Sequence, residues 1–291
     1  MRVATAAYPL DVMTSEAQYE DKLSYWVGEA AGAGATLLVF PEYAAMELAT
    51  LEGAAVAADL EKSLWAVSDR LAAADALHAK LAAAHGVHII AGSGPAAWQN
   101  RPVNRARLIT PQGQIGVQDK QIMTRFEAEV WDVVPGNPLQ VFDTDLGRLG
   151  ILICYDSEFP LLGKALAACD IICVPSVTEA TSGYWRVRIG AQARALEQQC
   201  ITVMSSVVGP ADWSEALGTS YGCGGVFCPP DVGLPSDGVL ALGKMNAPGW
   251  TYADIDPALI DRVRRDGVVL NRRDWAGQTG RDGTAPLVSL R

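Results

Sequence analysis

Histidine is scarce in this 291-residue chain: His78, His85 and His88 are the only three, all in or beside one alanine-rich stretch. A papain-like pairing of cysteine with a histidine base therefore has few places to come from. Nor does any cysteine or carboxylate pattern complete a tetrahedral zinc set around the three, so no metal site is expected. They are read as helix-surface and strand-edge residues. Cysteine is thin as well. The six, Cys154, Cys169, Cys173, Cys200, Cys223 and Cys228, lack the density of a disulfide framework, and a reducing cytoplasm is the expected compartment. No run of about 18 apolar residues occurs, so no transmembrane helix is expected. The residues after Met1-Arg2 are interrupted too soon for a signal peptide's apolar core, and read instead as a first strand. Positive charge is the minority sign: 23 Lys and Arg stand against 33 Asp and Glu, a net charge of −10. That argues against nucleic acid or an anionic membrane as the main partner. The six arginines between Arg262 and Arg281 are interspersed with Asp and Gly and read as a solvated tail. Gly92-Ser93-Gly94 follows a strand-like run, yet completes neither the dinucleotide nor the P-loop spacing.

What remains is a core-forming composition, 49% hydrophobic and 19% charged, without repeats or low-complexity segments. Strand-like and helix-like runs alternate in each half of the chain, with hairpins between, which predicts an α/β fold. The pattern predicts a helix from Ser15 to Gly32, a strand over Thr36–Phe40, and a helix over Leu60–His85 with a break near Ala74-Asp75. Strands follow at Val87–Gly92, in a hairpin turning at Pro111-Gln112-Gly113, and in a second pair joined at Asp145-Leu146-Gly147. After a short helix over Leu161–Ala168 come a strand over Asp170–Pro175, a helix over Tyr184–Gln199 and a strand over Cys200–Val207. Three further strands and a short helix with an irregular tail complete the chain. One domain over residues 1–256 is expected, with 257–291 as an extension packing on that domain or on a partner copy.

Three chemically distinct residues each close a strand-like run. Leu149–Ile153 is an apolar run that stops at Cys154, before a polar turn and Pro160. Thr36–Phe40 ends at Pro41-Glu42, and the second arm of the first hairpin ends at Asp119-Lys120. In open α/β sheets the carboxyl ends of strands are where sites are built. A buried cysteine is more often inert filler than nucleophile, and a single Glu or Lys at a strand end is usually just solvated. Together, however, the three suffice for amide hydrolysis: a carboxylate to take the thiol proton, an ammonium to hold the oxyanion, and a thiol to carry the acyl group.

Phe40-Pro41-Glu42-Tyr43, Asp119-Lys120 and Ile153-Cys154-Tyr155-Asp156-Ser157-Glu158-Phe159-Pro160, in this order, resemble the three signatures of the nitrilase, or carbon–nitrogen hydrolase, superfamily. Val174-Pro175-Ser176 and Ala193–Gln199 resemble the strand and helix that follow the family's cysteine, so the likeness runs from Arg2 to about Asp256. It implies a four-layer αββα sandwich, a homodimer or higher homo-oligomer packed through helices near the active site, and no cofactor. It also implies a second glutamate that positions substrate. Glu127 is preferred, because Arg125-Phe126-Glu127 resembles the phenylalanine-containing approach to that residue in relatives, and Glu129 is the alternative. Tyr155, Glu158, Ser176 and Thr178, flanking the cysteine and the following strand, are the expected substrate-binding residues.

Relatives acting on carbamoylated amino acids often carry an arginine shortly after the cysteine segment, where this chain has Ser157-Glu158; Arg186 and Arg188 lie on the following helix. The expectation is a cysteine-dependent amidohydrolase acting on a small neutral or cationic amide. Acyl transfer or nitrile hydrolysis by the same triad, or a catalytically silent scaffold, are the alternatives.

Overall fold

The computed structural model describes residues 1–281 and 283–291. Its strands are β1 (Arg2–Tyr8), β2 (Leu37–Val39), β3 (His88–Ala96), β4 (Val103–Ile109), β5 (Ile115–Asp119), β6 (Phe142–Thr144) and β7 (Gly147–Ile151). They continue as β8 (Ile171–Ser176), β9 (Ile201–Val207), β10 (Gly209–Pro210), β11 (Thr219–Ser220), β12 (Gly225–Phe227), β13 (Val239–Leu242) and β14 (Gly249–Asp254). The helices are α1 (Glu16–Gly32), α2 (Ala54–Ala57), α3 (Leu60–His85), α4 (Arg125–Glu129), α5 (Pro160–Ala165), α6 (Thr181–Gln198), α7 (Pro257–Asp266) and α8 (Asn271–Asp274).

Strand order β5-β4-β3-β2-β1-β9-β8-β7-β6 makes two half-sheets joined where the last two residues of β1 pair with β9. Side-chain parity then builds the layers, since alternate residues of a strand face opposite ways. Ala4, Leu38 and Ile89 pack with Leu23 and Val27 of α1 and Leu64 and Val67 of α3. Their neighbours Val3, Leu37, Val39 and Ile90 turn to the other face and cluster with Leu149, Ile151 and Ile172 of the second half-sheet and with Val187 and Ala191 of α6. Helix, sheet, sheet and helix therefore stack in the four-layer αββα order. Both faces of the central strands are buried, which is why they read as continuous apolar runs.

Local chemistry explains the boundaries. The Ser15 hydroxyl caps α1 by accepting from the Gln18 amide, Asp59 caps α3 through the Lys62 amide, and left-handed Gly86 ends α3. No break occurs at Ala74-Asp75: Asp75 accepts from Nε of Arg107, a buried arginine of β4, so a residue read as a helix breaker is an ion-pair partner. His78 is likewise inside rather than on the helix surface, bonded through Nδ1 to the Ala74 carbonyl, and burial lowers its pKa to about 4. Gly92-Ser93-Gly94 lies within β3 and is no phosphate loop. At φ +75° Gly92 sits where a Cβ would fall 2.2 Å from the Pro41 carbonyl, so glycine is required for the approach of β3 to the segment carrying Glu42. The tail is not uniformly solvated. Arg264 of α7 donates to Asp170 Oδ1 at 2.6 Å and to the Cys169 and Gln199 carbonyls, binding α7 to the segments that lead into β8 and β9.

Candidate active site

Three strand ends converge. Glu42 and Cys154 each follow the last residue of their strands, Val39 of β2 and Ile151 of β7, by three positions, and Lys120 directly follows β5. The tight turns are written in the backbone: Tyr43 and Cys154 both adopt left-handed conformations, at φ 56° and 49°. Such conformations cost free energy in non-glycine residues and concentrate at functional sites. Cys154 opens a 3-10 turn, Cys154–Glu158, whose first internal bond runs from the Asp156 amide to the Ile153 carbonyl. The Cys154 and Tyr155 amides precede that bond and have no partner within the turn. The turn is held from both sides. Asp156 accepts from the Gln121 and Ile122 amides, tying it to the lysine loop, and burial raises its carboxyl to about 7. Gly190 of α6 packs so closely on it that a Cβ would come 2.7 Å from the Ser157 carbonyl.

Lys120 Nζ donates to Glu42 Oε1 at 2.7 Å and to Glu127 Oε2 at 2.6 Å, with all three side chains buried. Burial opposes the charge on Lys120, but the Glu127 and Glu42 carboxylates outweigh it and raise its pKa, so the ammonium persists. Glu42 moves upward, because burial outweighs the attraction of Lys120 and Glu127 adds repulsion. For Glu127 burial pushes the same way but loses to Lys120, the Thr124 amide and the Tyr43 hydroxyl, and the carboxyl is lowered. Burial and then the Glu42 charge push the Cys154 thiol well above its ordinary range, so it rests protonated. Its Sγ lies 3.6 Å from the Val177 carbonyl, while the Val177 amide donates to Glu42 Oε2 at 3.1 Å.

Glu127 is the third helical position of α4, where it completes a capping box with Thr124, and it also accepts from Tyr43 Oη and Asn104 Nδ2. Glu129 faces outward and pairs with Arg125. Asn104, reaching Glu42 and Glu127 together from β4, was not anticipated, nor were Tyr43 and Thr124. Thr124-x-x-Glu127 is itself a capping-box signature and a usable signal for Glu127 over Glu129.

A cavity of about 280 Å³ opens onto this cluster, walled by Phe126, Trp131, Val177 and Leu217 and including Tyr155, Glu158 and Thr178. Ser176 is not in its wall. As the last residue of β8 it is buried and donates to the Ser205 carbonyl at 2.6 Å, so its hydroxyl serves the sheet and not the pocket. Arg186 lines the mouth, whereas Arg188 lies over the rings of Trp185 and Phe227. Among the described residues no cluster of His, Cys, Asp and Glu is arranged to hold a metal ion, and no helix is long and apolar enough to cross a membrane.

The family described as carbon-nitrogen hydrolase matches residues 2–265. Among curated proteins, the probable hydrolase YhcX of Bacillus subtilis is 31% identical over 277 residues, covering 94% of this chain and 53% of that protein. A deaminated glutathione amidase of Yersinia enterocolitica is 32% identical over 145 residues, 45% of this chain and 50% of its own. The chain thus spans about half the length of these two relatives. Among solved structures, Saccharomyces cerevisiae Nit3, a member of the nitrilase superfamily, superposes with a TM-score of 0.71 at 19% identity, covering 91% of this chain and 93% of its own. A mutant amidase from Nesterenkonia sp. AN1, with the acetamide moiety of fluoroacetamide added covalently at its active-site cysteine, gives 0.68 at 21% identity over 97% of this chain and 96% of its own. These two likenesses are in fold.

Proposed function

The chain belongs to the carbon–nitrogen hydrolase family, and from that premise we propose that it hydrolyses the carbon–nitrogen bond of a small amide through a thioester on Cys154. The observation that carries this reading is the buried Glu42–Lys120–Glu127 clamp facing a protonated thiol at the floor of a cavity. A thiol that rests neutral needs a base at the moment of attack, and Glu42, with its pKa raised, is suited to accept the proton. Sγ then bonds to the carbonyl carbon, and the π electrons move to the carbonyl oxygen. Two of the three N–H bonds of Lys120 are engaged by Glu42 and Glu127, leaving one for that oxyanion. The Tyr155 amide is positioned in sequence to be a second donor. Collapse breaks the C–N bond, and the nitrogen leaves with the proton held on Glu42. Water then gives its proton to Glu42 while its oxygen attacks the thioester, and the C–S bond breaks as the thiol is restored. Glu127, fixed by Tyr43, Asn104 and Thr124, holds Lys120 in place.

The same proposal covers the surroundings. Residues 1–256 act as one catalytic domain, with 257–291 an extension packed on it through Arg264. Leu161 of α5 and Trp185, Ile189 and Leu196 of α6 are exposed, which supports a homodimer through these helices. All six cysteines are free, which supports a reducing, cytoplasmic setting. The experiment is intact-mass spectrometry during turnover of a panel of short amides. A transient acyl adduct on wild-type protein, lost in Cys154→Ala together with ammonia or amine release, is the expected result. Retention of more than about a tenth of wild-type turnover by Cys154→Ala would sink the nucleophile assignment. Adducts resolved only by added amines would replace hydrolysis with acyl transfer.

A further inference from the structure

The cavity above Cys154 has three charged side chains that the hydrolytic reading does not use: Glu158, Glu179 and Arg186. Arg186 Nε lies 3.5 Å from Glu158 Oε1, so the one cation at the mouth already faces a carboxylate. Glu179 is solvent-exposed at the cavity's lip, with no ion-pair or side-chain hydrogen-bond partner among the described residues, and the limited desolvation it does experience raises its carboxyl above the ordinary range. It stands three residues past the end of β8 and two before the start of α6, on the segment that forms one lip of the cavity.

The charge balance repeats at both ends of the cavity. At the floor two carboxylates enclose one ammonium, and at the mouth two carboxylates accompany one guanidinium. Each group carries one excess negative charge, and the apolar side chains of Trp131 and Leu217 also line the cavity. A substrate carboxylate would meet a net negative charge at either end, and Arg186, its Nε turned to Glu158, would offer it only solvent-exposed N–H groups. A substrate cation at the mouth would meet Glu179 without displacing anything. Low-dielectric walls lengthen the reach of such a charge.

We propose that Glu179 is a specificity-determining residue that selects amides carrying an amine cation at the end remote from the scissile bond, and that carboxylate-bearing amides are disfavoured. This rests on the amidohydrolase reading for the chemistry, while the charge selection is separately measurable. The test uses the full chain and three amides of equal length ending in trimethylammonium, tert-butyl or carboxylate, compared by kcat/KM. In parallel, chloroacetamides with the same three tails alkylate Cys154, followed by intact mass. The cationic member is expected to lead the neutral one by about fivefold, and the neutral one to lead the anionic one by a similar factor, the scale of a partly exposed charge pair. Glu179→Gln should bring the cation-to-neutral ratio towards one in both assays. A flat wild-type series, a preference for the carboxylate, or a ratio that Glu179→Gln does not move would overturn the proposal. Tail-dependent alkylation without turnover of any amide would uphold the charge selection and overturn the hydrolytic reading. Absence of both alkylation and turnover would overturn both.

Discussion

Two lysines in this molecule each lie between two carboxylates, and only one of the two clusters shares a cavity with a thiol. Lys120 is clamped by Glu42 and Glu127, with every member buried. Lys22 bridges Asp11 and Glu47, donates to the Pro9 carbonyl and lies 4.3 Å from the centre of the Tyr8 ring. In the second cluster Asp11 is 56% exposed, so water shares the charge, and none of its members lines the cavity that holds Cys154. Glu47 there also accepts from Tyr8 Oη and the Asp11 amide, which anchors the 3-10 turn Ala44–Glu52 to the chain after β1. Composition alone does not separate the two. What does is the desolvation of both carboxylates, together with the third N–H, which Lys22 gives to the Pro9 carbonyl and Lys120 leaves without an acceptor among the described residues.

The comparison breaks if the two lysines prove interchangeable in effect. Lys120→Ala is expected to lower kcat/KM by about 10²-fold or more, through loss of the oxyanion donor. Glu42→Gln should be at least as severe, since an amide cannot take the thiol proton. Lys22→Met should leave kcat/KM within about twofold and instead lower unfolding free energy by about 2 kcal/mol, because it leaves Glu47 buried without its cation. Steady-state kinetics and urea denaturation on the same preparations separate these outcomes. Turnover lost with Lys22→Met and retained with Lys120→Ala would reverse the assignment.

A second contrast sharpens it within one short helix. Glu127→Gln keeps the capping geometry but removes one of the two charges holding Lys120, and should lower kcat/KM by about tenfold, or roughly 1.4 kcal/mol of transition-state stabilisation. Glu129→Gln, whose parent side chain meets only Arg125 at the surface, should change it by less than about twofold. Equal losses in the two variants would remove Glu127 from the site.

Which parts of this were legible follows from where the information lies along the chain. Glu42, Lys120 and Cys154 could be read because each closes a strand-like run, and the ordered flanks carry the family likeness. The four-layer stacking rests on strands whose two faces are both apolar, a pattern visible in Thr36–Phe40 and Leu149–Ile153 but silent about which half-sheet each face meets. Asn104 was not legible, since nothing local marks a strand asparagine as the donor to Glu42 across 62 residues. Ser176 was misplaced because closeness in sequence to Val177 and Thr178 says nothing of side-chain parity: its hydroxyl turns to β9. The break expected at Asp75 and the surface position expected for His78 failed for one reason. Each meets a partner distant in sequence, Asp75 the guanidinium of Arg107 in β4 and His78 the ring of Phe40 after β2.

Acid sensitivity of turnover is the next, smaller effect. Burial holds the Glu42 carboxyl above its ordinary range, so the base is lost to protonation at a higher pH than a solvated glutamate would be. The acid limb of kcat/KM should therefore lie above the ordinary value of about 4.3. A pH–rate profile that stays flat down to about pH 4 would contradict Glu42 as the base.

The smallest effect on turnover belongs to the structural cluster, where the change appears only in stability. Burial raises the Glu47 carboxyl to about 7, against the pull of Lys22. A carboxyl that binds its proton more tightly when folded contributes stability that is complete below the unfolded pKa of about 4.3 and is lost as pH rises towards the folded value. Glu47→Gln removes that titration without removing much volume. The unfolding free energy of wild type minus that of the variant should therefore decline by about 2 to 3 kcal/mol between pH 4.5 and 7. Asp156 and His78, displaced to about 7 and about 4, titrate in both proteins and cancel in the difference, provided distant sites act independently. Urea midpoints at half-unit pH steps supply the measurement, with kcat/KM unchanged within about twofold throughout, because Glu47 touches neither cavity nor thiol. A difference that stays constant or grows with pH would show that Glu47 is ionised in the folded protein across this range, making its pairing with Lys22 a full ion pair of the same kind as that of Lys120.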